Sequence, residues 1–345
     1  MPRGAVIFEG ITERQLRDTA GETFSMPTCY DQSMGTFALF GASGSTGAGI
    51  AAALDAAGER YRVVGRDRAS LQAEFAHRPL AEIAIWNPDD PASVQAAATG
   101  IDTIFYLVGV PYNHFELHPQ LMRATLNGAI AAGVRRIVLL SPIYSYGRPQ
   151  SATVDESHPR NPGTFKGKMR KEQEDLVLAA HAAGRIEGTV LRLPDFYGGD
   201  PKKSLVGDIF VAAVNDRRAT VVGPIDKPHQ YVFIGDIGPL ALELSREDRA
   251  YGRAWNFAGS GTITQREFAN KVFAHVGRKS KLMVTNVFML RLIGLFDPIV
   301  RELAEMNYLQ SDPVLLDDRA LRALLPGLHV TAYDDGIAQI LSTMT

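Results

Sequence analysis

Cysteine is almost missing from this chain: Cys29 is the one such residue among 345. An intramolecular disulfide is therefore excluded, and no cysteine metal cluster can form. The scarcity suits a reducing cytosol, so a cytoplasmic location is the expectation. An excess of one charge is missing too. Lys and Arg total 36 against 38 Asp and Glu, a net charge of −2. No basic tract carries interleaved aromatics, and no nucleic-acid partner is expected. Long apolar runs are also absent. The nearest, Leu282 to Val300, is broken by Asn286, Arg291 and Asp297, so no membrane partner is expected. No secretory signal is visible at the N-terminus. His, Asp and Glu nowhere take metal-ligand spacing, and no Gly-x-Ser-x-Gly elbow supports a hydrolase. The remaining partners are a small-molecule substrate and, for a homodimer, a second copy.

What is present is glycine in a telling place. Residues 36–40 form an apolar β-like run, followed by Gly-Ala-Ser-Gly-Ser-Thr-Gly and an alanine-rich helix pattern. Gly41 permits a tight strand-to-helix turn. Gly44 lets backbone approach a pyrophosphate, and Gly47 lets the helix sit close to the sheet. The helix N-terminus offers N–H groups and a positive dipole end to phosphates. Ser43, Ser45 and Thr46 share the loop and join the glycines as cofactor-binding candidates. A second strand, Tyr61 to Val64, ends in Gly65-Arg66-Asp67-Arg68. Arg66 and Arg68 suit the 2′-phosphate of NADP(H), whereas Asp67 suits the 2′-hydroxyl of NAD(H). NADP(H) is favoured over NAD(H).

The alternation continues. Strands are expected at Ala81–Trp86, Ile101–Val108, Arg136–Leu140 and from Thr189. Helices are expected at Ala92–Ala98, Gln120–Ala132 and Met169–Ala183. An α/β fold with a doubly wound parallel sheet follows. From about residue 195 the pattern breaks into Pro, Gly and aromatic residues, with later helices near Gln265–Val276 and Asp334–Leu341. Three parts are expected: a polar N-terminal extension (1–35) with no assigned chemistry, a dinucleotide-binding domain (36–194), and a mainly substrate-binding C-terminal region (195–345). The chain is expected to cross between the last two.

Several landmarks in this order resemble the extended short-chain dehydrogenase/reductase family, of the NAD-dependent epimerase/dehydratase type, from about residue 36 to 343. They are GASGSTG, YRVVGRD, Asp89-Asp90, YLVGV, AGVRRIVLLSPIYSYG and TVLRLPDFYGG. The resemblance implies a Rossmann-type domain with a smaller C-terminal substrate region. It implies an NADP(H)-dependent oxidoreductase acting on a small carbonyl or hydroxyl compound, with a nucleotide-sugar epimerase or dehydratase as an alternative.

The family's chemistry usually uses a Tyr-x-x-x-Lys helix. If Lys168 is the family lysine, Thr164 stands where the tyrosine belongs, and a threonine hydroxyl is too weak an acid for that role. Lys166-Gly-Lys-Met-Arg-Lys also resembles the isoflavone-reductase-like and NmrA-like branch, where lysine occurs without the tyrosine; the lysine is then Lys166. Binding of NADP(H) without catalysis is the corresponding alternative. Ser141 is the candidate donor to a substrate oxygen, although Pro142 replaces the family's second serine. Tyr144 is the candidate substitute acid, and Tyr146 matches the family's structural Tyr-Gly. Tyr112, Phe115, Tyr144, Phe196 and Tyr197 are substrate candidates. Val108, Leu193 and Pro194 are implied beside the cofactor. His118 is read as a helix cap or relay, and Asp236 as a helix cap.

Overall fold

The computed structural model describes residues 36–285 and 305–344. The expected N-terminal extension and residues 286–300 of the broken apolar run lie outside them. The first half alternates strand and helix. Strand β1 (Phe37–Phe40) is followed by α1 (Ser45–Ala56), β2 (Tyr61–Gly65), α2 (Arg68–Phe75), β3 (Ala81–Ile85) and α3 (Pro91–Ala98). Then come β4 (Thr103–Tyr106), α4 (Leu117–Ala131), β5 (Arg136–Pro142), α5 (Phe165–Ala182) and β6 (Glu187–Leu193). Strands β1, β4, β5 and β6 are largely buried on both faces, whereas the edge strand β3 is not. In β1, Phe37 and Leu39 enter one core while Ala38 and Phe40 enter the other. Burial on both faces is what a parallel sheet covered by helices on each side requires.

The second half contains β7 (Asp195–Tyr197), α6 (Gly207–Val214), β8 (Ala219–Val222), β9 (Pro228–Phe233), α7 (Ile234–Arg246) and β10 (Ala254–Asn256). It continues with β11 (Thr262–Thr264), α8 (Gln265–His275), β12 (Leu282–Thr285), α9 (Tyr308–Ser311), α10 (Arg319–Leu324) and α11 (Tyr333–Ser342). Seven strands form the parallel central sheet in the order β10-β6-β5-β4-β1-β2-β3. The α/β doubly wound sheet is therefore as expected. The edge strand β10 comes from the second half, so the chain returns to the sheet after leaving it. Two small sheets, β11-β9-β7 and β12-β8, belong to the second half.

Local reasons explain where elements differ from expectation. Strand β4 is shorter than Ile101–Val108. Gly100 turns the chain with φ +76° before it, and Val108 bends past Gly41 after it. Helix α5 begins at Phe165 rather than Met169, because the Thr164 hydroxyl accepts from Gly167 N at 3.1 Å. Asp236 does not cap α7. Its carboxylate accepts from Thr331 N and Oγ1 at 2.9 and 2.6 Å, tying α7 to the segment before α11.

Candidate functional site

The carboxyl ends of β1, β2 and β4 open onto a cavity of 310 Å³. It is lined by Gly41, Ser43, Gly44, Ser45, Thr46 and Gly47, by Gly65 and Arg66, and by Leu107, Val108, Gly109 and Phe196, among others. The three loop glycines differ in what they do. Gly41 has φ +87°, and a Cβ there would meet the Val108 backbone at 2.6 Å. A Cβ at Gly47 would collide with the Ala42 carbonyl. At Gly44 a Cβ would meet nothing within 4 Å, so the space beside that backbone is open. Gly44 is also the N-cap of α1 and supplies no capping side chain. The first N–H groups of α1 therefore need partners from elsewhere. An uncapped helix end beside an open glycine backbone is the form a pyrophosphate occupies. The residues present fit a dinucleotide. Across the loop, Ser45 Oγ accepts from Asp200 N at 3.3 Å, which holds the segment after β7 close to the cradle.

At the adenosine end, the structure separates residues that the sequence could not. Arg66 lines the cavity; Arg68 does not, and is the exposed first residue of α2. Asp67 is the N-cap of α2, accepting from Ala69 N at 2.9 Å and Ser70 Oγ at 2.6 Å. The Ser70 and Ala69 bonds hold its carboxyl below the usual range.

At the other end, α5 decides which cations face inward. Lys168 is exposed. Lys166 is 1% exposed and donates to Glu305 Oε2 at 2.6 Å. Its ammonium lies 5.0 Å from the Tyr112 ring centre and 5.6 Å from that of Phe115. One helical turn on, Arg170 lies 5.6 Å from Phe115 and donates to Gln173 at 2.9 Å. Its Nε has no partner among the described residues. Burial brings its pKa down to about 10, against the pull of Tyr144 and Tyr106, and it remains a cation at neutral pH. The inward pair at i, i+4 spacing is thus Lys166 and Arg170, not Thr164 and Lys168. Thr164 precedes the helix as its cap. Arg170 went unassigned in the sequence, although its four-residue spacing from Lys166 was visible there.

The oxygen-handling candidates are also redistributed. The Ser141 hydroxyl is buried and already engaged, donating to the buried Glu174 at 2.6 Å. Glu174 also accepts two bonds from Arg192, at 3.1 and 2.8 Å. Arg192 donates to Tyr146 Oη at 2.7 Å, and Tyr146 donates to Asn256 of β10 at 2.8 Å. Ser141 and Tyr146 are therefore parts of one internal network. Tyr144 lies in the 3-10 turn after β5, with its hydroxyl 3.5 Å from that of Tyr112. Burial pushes the Tyr144 phenol well above 10, and Tyr112 and Asp195 push it further. Burial raises Tyr112 as well. Neither is the lowered-pKa acid that the family's tyrosine becomes; both remain hydrogen-bond donors. Tyr197, a substrate candidate, is a core residue, 0% exposed and packed among Phe233, Phe268 and Tyr333. Leu193 and Pro194 are buried beneath the site and do not line the cavity, while Phe196 does. His118 is neither cap nor relay. It is buried against Phe115, and burial beside Arg170 drives its pKa down to about 2.

No metal-binding group of His, Cys, Asp or Glu occurs among the described residues. No helix among them is long and apolar enough to cross a membrane.

Comparison with known proteins agrees with this geometry. Residues 41–204 match the NAD(P)H-binding family model. The dTDP-6-deoxy-L-talose 4-dehydrogenase (NAD(P)(+)) of Kitasatospora kifunensis is 30% identical over 157 residues, 43% of this chain. The chain spans 49% and 33% of the lengths of the curated relatives it matches. Among solved structures, dTDP-glucose 4,6-dehydratase from Bacillus anthracis, in complex with NAD, superposes with a TM-score of 0.74 at 11% identity. It covers 89% of this chain and 96% of its own. UDP-N-acetylglucosamine 4-epimerase from Bacillus cereus gives a TM-score of 0.71 at 14% identity, covering 90% of this chain and 99% of its own. Residues 41–204 thus match an NAD(P)H-binding domain, and the chain has the fold of these epimerases and dehydratases.

Proposed function

We propose that this chain is an NADP(H)-dependent oxidoreductase acting on a small carbonyl or hydroxyl compound. The observation that supports it most is the open backbone at Gly44, beside the uncapped start of α1, in a cavity that Arg66 also lines. A 2′-phosphate held by a guanidinium fork gains a charge-assisted bond that a 2′-hydroxyl does not. Asp67 is committed to its helix cap and does not serve as the ribose acceptor that favours NAD. When bound, the dinucleotide supplies or accepts a hydride at its nicotinamide. Arg170, whose Nε has no partner among the described residues, would hold the nicotinamide-side ribose or its phosphate. Lys166, fixed by Glu305, and the Tyr112 and Tyr144 hydroxyls orient the substrate oxygen. Lys168 has no part in this assignment.

The test is a titration of wild type, Arg66→Ala and Arg68→Ala with NADPH and NADH, followed by a panel of ketones, enones and aldehydes. Arg66→Ala is expected to lose about 1.5–3 kcal/mol of NADPH affinity and little NADH affinity. Arg68→Ala is expected to change neither. An unchanged ratio in Arg66→Ala refutes the NADP assignment. A second reading, a non-catalytic NADP(H)-binding regulator, is favoured by the raised pKa values of both cleft tyrosines. It gains the lead if NADPH binds tightly and no carbonyl compound ever consumes it.

A further inference from the structure

Strands β4, β5 and β6 are adjacent and parallel, and each ends at the same edge of the sheet. Tyr112 follows the first, Tyr144 the second and Asp195 the third. Ligands of such sheets bind outside these carboxyl ends. Asp195 is the acidic member of that row and is one-third exposed. Its Oδ2 lies 3.0 Å from Nε2 of His229, which is 8% exposed and packs tilted against Tyr231, with ring centres 4.9 Å apart. The imidazole thus braces one carboxylate oxygen from behind, and the other has no hydrogen bond within the described chain. The Asp195 carboxylate adds to the upward pKa shift that burial gives Tyr112 and Tyr144.

Arg170, whose Nε has no partner among the described residues, is given to the cofactor in the reading above, and the other cations named here are already engaged. Lys166 is held by Glu305, Arg148 by Asp312, and Arg160 and Arg192 by Glu174. Apart from Arg170, the side chains named here therefore offer a substrate two phenol hydroxyls and a fixed carboxylate. Such a set donates to a carbonyl and accepts from a hydroxyl. It does not attract a diphosphate, which is what the UDP- and dTDP-linked compounds named for the similar proteins carry.

We propose that Asp195, positioned by His229, recognises a hydroxyl group on an uncharged hydroxy-carbonyl substrate and turns away nucleoside diphosphates. This rests on the oxidoreductase reading and narrows its substrate class. Two measurements test it, with the NADPH dissociation constant and melting temperature as controls in each variant. In the first, NADP⁺-saturated protein is titrated calorimetrically with UDP. Asp195→Asn, which keeps the shape and removes the charge, is expected to bind UDP at least about tenfold more tightly than wild type. In the second, kcat/KM is compared for hydroxyacetone and acetone. Wild type is expected to prefer the hydroxylated ketone by about tenfold or more, and Asp195→Ala to lose that preference. His229→Ala is expected to weaken it partially, with KM moving more than kcat. Tight UDP binding by wild type, or equal UDP binding by wild type and Asp195→Asn, overturns the proposal. So does an unaltered ketone preference in Asp195→Ala. Failure to bind NADPH at all instead defeats the oxidoreductase reading, and the UDP titration, run on the cofactor-free protein, then tests the exclusion of nucleoside diphosphates by itself.

Discussion

His118 shows how a residue's setting cancels its usual chemistry. In water an imidazole titrates near 6.5, within reach of proton relay. Here the ring is 1% exposed, its Nδ1 has no partner among the described residues, and the Arg170 charge is near. Desolvation and that charge both oppose protonation, so the group stays neutral in the fold down to about pH 2. Below 6.5 the unfolded chain takes up a proton that the folded chain refuses. Stability is then fully present above 6.5 and falls as the pH drops through the window towards 2. Wild type is expected to lose about 2 kcal/mol more than His118→Phe between about pH 7.5 and pH 5, read from urea unfolding. Equal pH slopes for the two proteins contradict this account. The same reasoning separates Tyr144 from the family's tyrosine. A buried phenol with a carboxylate nearby is a firm hydrogen-bond donor and a poor source of protons.

At the scale of elements, helix α5 determines which of four neighbouring cations matter. Lys166, Lys168, Arg170 and Lys171 look interchangeable in sequence, because a cluster of this kind gives no phase for the helix. The phase is fixed by Thr164. Once its hydroxyl caps Gly167 N, positions 166, 170 and 174 form the inward stripe. Thr164→Val is expected to cost about 1 kcal/mol in denaturant unfolding, while the NADPH dissociation constant stays as in wild type. A large loss of cofactor affinity in that variant contradicts the assignment of Thr164 as a cap alone. This element also marks the limit of what the sequence revealed. The glycine loop was readable because its function demands residues with no side chain at fixed spacing, and the structure places all three glycines at the cavity. The strands were readable because burial on both faces leaves an unbroken apolar run. The fate of Ser141, Arg66, Arg68 and Tyr197 was not, because each depends on a partner distant in sequence or on a strand's exact end. Ser141 is decided by Glu174 on another element, and Tyr197 by Phe268 and Tyr333 in the C-terminal region.

For the molecule as a whole, that same Ser141 contact belongs to a buried polar join between the two halves of the chain. Glu174 is 0% and Arg192 2% exposed. Around them the network runs from β5 through α5 and β6 to Asn256 of β10, the strand that the second half returns to the sheet. Asn256 Nδ2 in turn donates to the Val154 carbonyl at 2.9 Å. A fully hydrogen-bonded ion pair of this kind adds little beyond an apolar replacement, yet breaking it strands one charge in the core. Glu174→Gln removes the charge while keeping the shape, leaving Arg192 without a carboxylate. It is expected to cost about 3–5 kcal/mol, measured by guanidinium unfolding. Arg160→Ala removes the partly exposed partner of the same carboxylate, so a loss of about 1 kcal/mol is expected there. The contrast between the two variants is the decisive quantity. Because β10 joins the sheet beside β6, a weakened network should unfold both halves in one transition, with spectroscopic probes in each half coinciding. Two separated transitions in Glu174→Gln would show instead that apolar packing of α7 on α1 does not hold the halves together once the polar join is lost.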